Sequence, residues 1–295
     1  MKSGTRRKLT SSQVSADDFL SGESGHVAGI RGISKNTLHD RLLDVRLALG
    51  SAGRAARRAS SPPRRVLVAG IYGGDAAQMV RATAELQRST HEVELALGAR
   101  DAPAHELAAL TVADHLAGGK FENLNAVLAD RVARRHDWLL VVDDDVILPR
   151  RFLDRFIAVC EALDFALAQP AQTRRSHAAW RVTRRRGGLV ARETRYVEIG
   201  PVTAFRADAV AELVPFPALR YGWGLDVHWA ALARARGWRL GIVDALPVRH
   251  DSSPVAAGYS REAAIAEARE FLRERPYVPA HEAQRTVAAH ERLPR

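Results

Sequence analysis

The sequence predicts an α/β protein built on a mostly parallel sheet with helices on both faces. Two observations carry this expectation, and a third says where function sits. From Arg64 onward, short apolar runs alternate with stretches of helical periodicity, the pattern of repeated βα units. The runs are continuous and rich in β-branched residues, as strands buried on both faces must be. One of them, Trp138-Leu139-Leu140-Val141-Val142, ends in three consecutive aspartates, Asp143, Asp144 and Asp145. Sheets of this kind bind their ligands beyond the C-terminal ends of the strands.

Taken in order, Met1 to about Ser34 is rich in Ser, Gly and charge and is expected to be disordered. Lys35 to Arg58 spaces Leu38, Leu42, Val45 and Leu49 by three and four residues, which predicts an amphipathic helix. That helix has three possible fates: packing on the body, oligomerisation, or lying on an anionic membrane with its arginines. Packing on the body is the simplest. Ser60-Ser61-Pro62-Pro63 ends it and marks a boundary. Strands are expected at 66–71, 92–97, 111–113, 138–142 and 165–168, with helices at 76–88, 104–110, 121–135 and from Pro149 to about Leu163. After Pro170 the texture changes. Ala171 to Arg195 holds eight arginines and one acid, and reads as an irregular stretch, either a solvated loop or a mobile lid that closes on a diphosphate or on an anionic acceptor. Tyr196 to Ile199 is extended, Phe205 to Leu213 starts a helix, and Gly222 to Gly224 forms a loop before a helix over 226–236. A strand at 239–243 and a helix at 261–273 complete the reading. The expected organisation is an extension over 1–63, a main domain over 64–275 and a C-terminal tail over 276–295.

Composition narrows the function. Hydrophobic residues at 46% and charged residues at 26% are ordinary for a soluble globular protein. No apolar run reaches the roughly 18 residues of a membrane span, and no apolar stretch follows the basic N-terminus as in a secretory signal. A single cysteine, Cys160, rules out an intramolecular disulfide or a Cys cluster for zinc; its apolar neighbours make it a core residue. A cytoplasmic location fits, with peripheral attachment to a membrane through the extension as a variant of it. The net charge of +10 invites a nucleic-acid reading, but its distribution does not. The first 65 residues carry 13 Lys and Arg against 5 Asp and Glu, and the remainder 31 against 29. The body is nearly neutral and holds no recognisable nucleic-acid motif, so no nucleic-acid partner is expected.

The aspartate triplet is the most informative feature. Carboxylates crowded at a strand end are costly unless a cation joins them. Residues two apart on an extended chain point the same way, so Asp143 and Asp145 are expected to face one ligand. Oxygen ligands suit Mg²⁺ or Mn²⁺, and those ions suit phosphate. The plain alternative is a solvated acidic turn.

Over roughly Val66 to His250 the chain resembles the GT-A glycosyltransferases, in particular those of family-two type. Gly119-Lys120 followed by Leu124-Asn125-Ala126 is similar to the helix that precedes the acidic strand in that family. Val142-Asp143-Asp144-Asp145 with Val146-Ile147-Leu148-Pro149 resembles its D-x-D motif. Gly200-Pro201-Val202-Thr203-Ala204-Phe205-Arg206 resembles the segment lining the acceptor side, and Gly222-Trp223-Gly224-Leu225-Asp226 the loop that carries the acidic catalytic motif. The chain departs at two places. Leu225 replaces the first of the family's two acids, and Ala69-Gly70-Ile71-Tyr72-Gly73-Gly74-Asp75 replaces its usual first-strand turn. The Glu198-to-Val202 run with the Trp-Gly loop is also similar to a DUF707-like group related to these enzymes.

The resemblance implies a GT-A type, Rossmann-like fold and a metal-dependent, inverting transfer of a sugar from a nucleotide-sugar donor. The acceptor is a carbohydrate, lipid-linked or other hydroxyl. Asp145 would ligate the Mn²⁺ or Mg²⁺, with His250 as a second ligand and Asp143 on the ribose or on the ion through water. Asp226 would be the general base, its alternative being a helix N-cap. Lys120, Asn125 and Arg206 would serve the donor, with Lys120 and Arg206 on its phosphates. Gly200, Trp223 and Gly224 would line the acceptor side. Rival readings are a nucleotidyltransferase-like enzyme, a nucleic-acid binder acting through the basic extension, and a degenerate fold that only binds carbohydrate.

Overall fold

A computed structural model describes residues 14–21, 30–132, 135–250 and 260–294. Ten strands form one sheet: β1 (Arg65–Tyr72), β2 (Glu92–Ala99), β3 (Thr111–Ala113), β4 (Trp138–Val142), β5 (Val146–Ile147), β6 (Phe165–Gln172), β7 (Ala191–Thr194), β8 (Val202–Arg206), β9 (Arg239–His250) and β10 (Thr286–His290). Nine follow the order β10-β7-β9-β6-β8-β4-β1-β2-β3, and β5 pairs with the end of β9. The β1, β2, β3 and β4 neighbours pair in parallel, as do β6 and β9. Strand β8 runs antiparallel to both β4 and β6, and β7 antiparallel to β9 and β10. Along the nine-strand path only β8 and β7 therefore oppose the common direction, and the expected mostly parallel α/β sheet is what the chain forms.

The helices are α1 (Ile30–Leu49), α2 (Ser51–Arg58), α3 (Ala77–Leu86), α4 (Lys120–Leu128), α5 (Phe152–Ala162), α6 (Ala207–Leu213), α7 (Leu225–Arg236), α8 (Arg261–Leu272) and α9 (Ala280–Ala283). They cover both faces. Because side chains alternate along a strand, Leu139 and Val141 of β4 face one core with Phe121, Leu124 and Trp229 from α4 and α7. Trp138, Leu140 and Val142 face the other, with Phe152, Phe156 and Cys160 of α5. Each fully buried side chain of this size contributes about 1.5–3 kcal/mol, and two such layers leave β4 nowhere else to go. Cys160 is a core residue as expected, and burial holds its thiol well above the usual range.

Several expectations change. Residues 1–13 and 22–29 of the expected disordered stretch lie outside the described residues. Residues 14–21 are ordered: Val14 and Phe19 are buried, and Tyr277 donates to Asp18. The expected single helix is two, broken at Gly50, and α1 presents Leu38, Leu42, Val45 and Leu49 to solvent rather than to the body. The expected tail over 276–295 instead supplies α9 and β10, which extends the sheet beside β7.

The Arg-rich stretch is not a mobile lid on this structure. Two of its arginines bind its own backbone. Arg184 donates to the carbonyls of Thr173, Ser176 and Ala178. Arg192 donates to those of Val182 and Arg184, and pairs at 2.7 Å with Asp244. Both side chains of that pair are wholly buried, so removing either partner costs about 3–5 kcal/mol. The guanidinium fork satisfies several carbonyls at once, which is how a stretch with so few apolar residues stays ordered.

Candidate functional site

Strands β4, β6 and β9 run in the same direction and end at one rim of the sheet. Strand β8 starts there because it is antiparallel. The rim therefore gathers Asp143 to Asp145, Gln172, His250 and the segment Glu198-Ile199-Gly200-Pro201. The triplet does not continue the strand, because the chain turns at Asp144 and Asp145. Its three carboxylates consequently take three different partners, while the charges of Asp143 and Asp145 both reach His250.

Asp143 Oδ1 lies 2.6 Å from Lys120 Nζ, and its backbone N–H donates to Pro201. Lys120 also donates to the Ile199 carbonyl at 2.7 Å. Lys120 thus ties the start of α4 to the strand end. Gly200 packs against this pair: a Cβ there would sit 2.6 Å from Asp143 Oδ2 and 2.9 Å from Lys120 Nζ. A side chain there would have to displace the pair. Asp144 accepts from Gly73 N–H at 3.2 Å, with Arg100 at 4.0 Å. Burial, then the charges of Asp143 and Asp145, push its carboxyl above the ordinary value. Asp145 Oδ1 is 3.0 Å from His250 Nε2. Burial raises Asp145 and lowers His250, but their mutual contact outweighs it, leaving Asp145 below and His250 above the usual value. Residues Val146 and His250 are paired across β5 and β9, which sets this contact.

A second pair of acids lies deeper. Gly222 and Gly224 adopt φ of +74° and +84°, where other residues are strained, and Gly224 caps α7. Asp226 therefore falls in the first turn of the helix and is not its N-cap. It is 6% exposed, accepts from the Tyr196 hydroxyl and from Val227 N–H, and burial pushes its pKa up to about 6. Glu198 accepts from Gln172 Nε2 at 2.8 Å. Burial first, and the charge of Asp226 second, push it up to about 8, while His250, Arg184 and Lys120 pull it back. Trp223 is half-buried against the core, with Arg261 over its ring at 5.8 Å.

Two expected donor residues are engaged elsewhere. Arg206 sits opposite Trp138, the first residue of β4, because β8 is antiparallel. That places it at the far edge of the sheet from Asp143, about 17 Å along the strand at 3.4 Å per residue, and it pairs there with Asp164 and Asp208. Asn125 spends its amide on the backbone of Phe216, donating at 2.7 Å and accepting at 2.8 Å.

The sequence reading also missed residues. Glu198 had one available signal, a lone acid in the run Tyr196-Val197-Glu198-Ile199. Tyr196 and Gln172 had none, since only the folded chain brings them to Asp226 and Glu198. Arg100 packs on Gly73, where a Cβ would meet its Nε at 2.5 Å. Glu267 of α8 accepts from the backbone N–H groups of Arg220, Tyr221 and Gly222 and so clamps the glycine loop.

No protein-family model matches the chain, and no curated protein matches its sequence. Solved structures do match. The crystal structure of GalNAc-T7 with UDP, GalNAc and Mn²⁺ superposes with a TM-score of 0.50 at 11% identity, covering 68% of this chain and 46% of that one. The mannosyltransferase PcManGT from Pyrobaculum calidifontis, in complex with GDP-Man and Mn²⁺, gives 0.48 at 14% identity, covering 85% and 79%. S. aureus TarS 1-349 in complex with UDP-GlcNAc gives 0.45 at 12% identity, covering 66% and 62%. At these identities the likeness is one of fold, and the chain has the GT-A fold. The chain spans less than half of the GalNAc-T7 chain.

Proposed function

We propose that the protein is a metal-dependent glycosyltransferase, moving a sugar from a nucleotide-sugar donor to a hydroxyl acceptor with inversion at the anomeric carbon. One observation carries the reading. Glu198 lies within electrostatic reach of Asp226, His250 and Lys120, so a pair suited to a cation and a pair of high-pKa carboxyls neighbour one another at one rim of the sheet.

Asp145 and His250 would hold the ion. Adjacent ligands of an octahedral ion with bonds of about 2.1 Å lie about 3 Å apart, which is the separation of Asp145 Oδ1 and His250 Nε2. No group of three or more His, Cys, Asp or Glu converges among the described residues. Two protein ligands, with phosphate and water completing the shell, is the usual arrangement for Mg²⁺-like ions. When bound, the ion neutralises the leaving diphosphate. Lys120, held between Asp143 and Ile199, places a fixed positive charge beside it.

Asp226 would take the proton. As the acceptor oxygen bonds to the anomeric carbon, the bond from that carbon to the diphosphate breaks, the nucleoside diphosphate leaves, and the hydroxyl proton passes to the Asp226 carboxylate. A carboxyl near 6 is charged at neutral pH and more basic than a surface aspartate. Tyr196 orients it. Trp223, Gly224 and Gly200 would border the acceptor. The nucleotide-sugar class draws support from the UDP, GalNAc and Mn²⁺ named in the GalNAc-T7 structure.

The test is thermal stabilisation by a panel of nucleotide sugars with and without Mn²⁺. A donor at 100 times its Kd stabilises by about 2.7 kcal/mol. The expected result is an Mn²⁺-dependent rise in Tm that Asp145→Asn abolishes. An unchanged Mn²⁺-dependent rise in that variant refutes the metal role.

A further inference from the structure

We infer that the outward face of α1 is a docking surface for an anionic lipid bilayer. The inference starts from an inversion. At about 100° per residue, Leu38, Leu42, Val45 and Leu49 form one stripe of α1, and the helix turns it away from the protein. These side chains are 63, 61, 57 and 73% exposed, and stand out among the exposed large hydrophobics of the described residues. The helix docks instead by its opposite face. Asp40 is buried and accepts from Arg174 and Arg175 N–H at 3.0 and 3.1 Å. Leu43 reaches Gly187, and Leu47 packs against the core that holds Phe152 and Phe156. A helix anchored by a buried aspartate while four large apolar residues face water has a second partner for those residues.

Charge selects the partner. Lys35 and Arg46 flank the stripe on one side and Arg41 on the other, all exposed. The two acids of the helix are turned away: Asp40 binds the loop, and Asp44 pairs with Arg185 at 2.6 Å. Helix α2 adds Arg54, Arg57 and Arg58, and Arg174 is exposed beside α1. An apolar stripe between rows of cations is the signature of a helix lying in a lipid interface, where each nearby Lys or Arg adds attraction to anionic headgroups. A second copy would bring like charges together. Residues 1–13 carry four Lys and Arg, no acid, and only Met1 and Leu9 as large apolar residues, so they complement neither the charge nor the stripe. Nucleic acid would leave the leucines in water.

The surface is also coupled to the candidate site. Asp40 holds the backbone of Arg174 and Arg175, and the adjacent Ser176 accepts from His250 N–H at 3.1 Å. Docking through α1 would set the His250 end of the site beside the bilayer.

The full-length chain is sedimented with phosphatidylcholine vesicles containing no anionic lipid or about 30 mol% phosphatidylglycerol. The expected result is salt-sensitive binding to the anionic vesicles only. Leu42→Glu/Val45→Glu should weaken it by roughly tenfold or more, since each loses a buried side chain and gains a like-signed charge. Because the stripe is exposed, the variant should keep the parent Tm and any nucleotide-dependent stabilisation, so a failure here is separable from a failure of the transferase reading. Equal vesicle binding by parent and variant overturns the inference, as does no binding by the parent. A parent dimer that the double substitution dissolves, without vesicle binding, assigns the face to a second copy and also overturns it.

Discussion

Asp226→Asn should inactivate the protein and stabilise it. The two effects share one cause. Asp226 has an ordinary carboxyl value of 3.8 in the unfolded chain and about 6 in the fold, with burial as the leading cause. Between those values the native state holds more protons than the unfolded state, so stability falls as pH rises from about 4 to about 6. Above that window the penalty is fully present. Roughly two pKa units at 1.36 kcal/mol each is about 3 kcal/mol. Asparagine mimics the neutral acid: it keeps the shape, and its amide oxygen still accepts from Tyr196. The variant should therefore be more stable than the parent by up to about 3 kcal/mol at pH 8, and nearly equal to it at pH 4. Urea denaturation at the two pH values reads this difference directly. Turnover should fall by about 10² or more, as for a missing general base, while Mn²⁺-dependent donor binding persists. A variant no more stable at pH 8 would show that the carboxylate is comfortably solvated or paired. Near-normal turnover would remove Asp226 from proton transfer, whatever its stability.

Further predictions concern the groups around it. Gly200→Ala places a Cβ within 2.6 Å of Asp143 Oδ2; displacement of the Asp143–Lys120 pair should weaken donor affinity about tenfold, with little change in Tm because the strain sits at the rim. Unchanged affinity by calorimetry would mean that the pair does not serve the donor. Glu198, pushed up to about 8, is neutral at lower pH and becomes charged beside Asp226 as pH rises through that value. The rate profile should show an alkaline decline there that Glu198→Gln, locked neutral, lacks; an identical alkaline limb in both proteins refutes this role.

The acidic strand end, the Trp-Gly loop before α7, the core cysteine and the α/β class were all legible in the sequence, because each follows from local pattern. Apolar continuity marks a buried strand, carboxylates beyond it mark the rim, and paired glycines mark a sharp turn. Strand direction was not legible. Arg206 looked like a phosphate ligand until β8 proved antiparallel to β4, which carries it to the opposite edge. Asn125 lay in a motif but binds the backbone of Phe216, a contact 91 residues away. The arginines after Pro170 looked poised for phosphate, yet Arg184 and Arg192 are consumed by carbonyls of their own segment and Arg185 by Asp44. The leucine stripe of α1 was visible as a periodicity, yet periodicity says only that a face is apolar. Which side of that helix meets the protein was decided by Asp40, whose buried carboxylate needed the two N–H groups of Arg174 and Arg175. Local chemistry is written in neighbouring residues; the orientation of a strand or a helix face depends on partners that only the folded chain brings near.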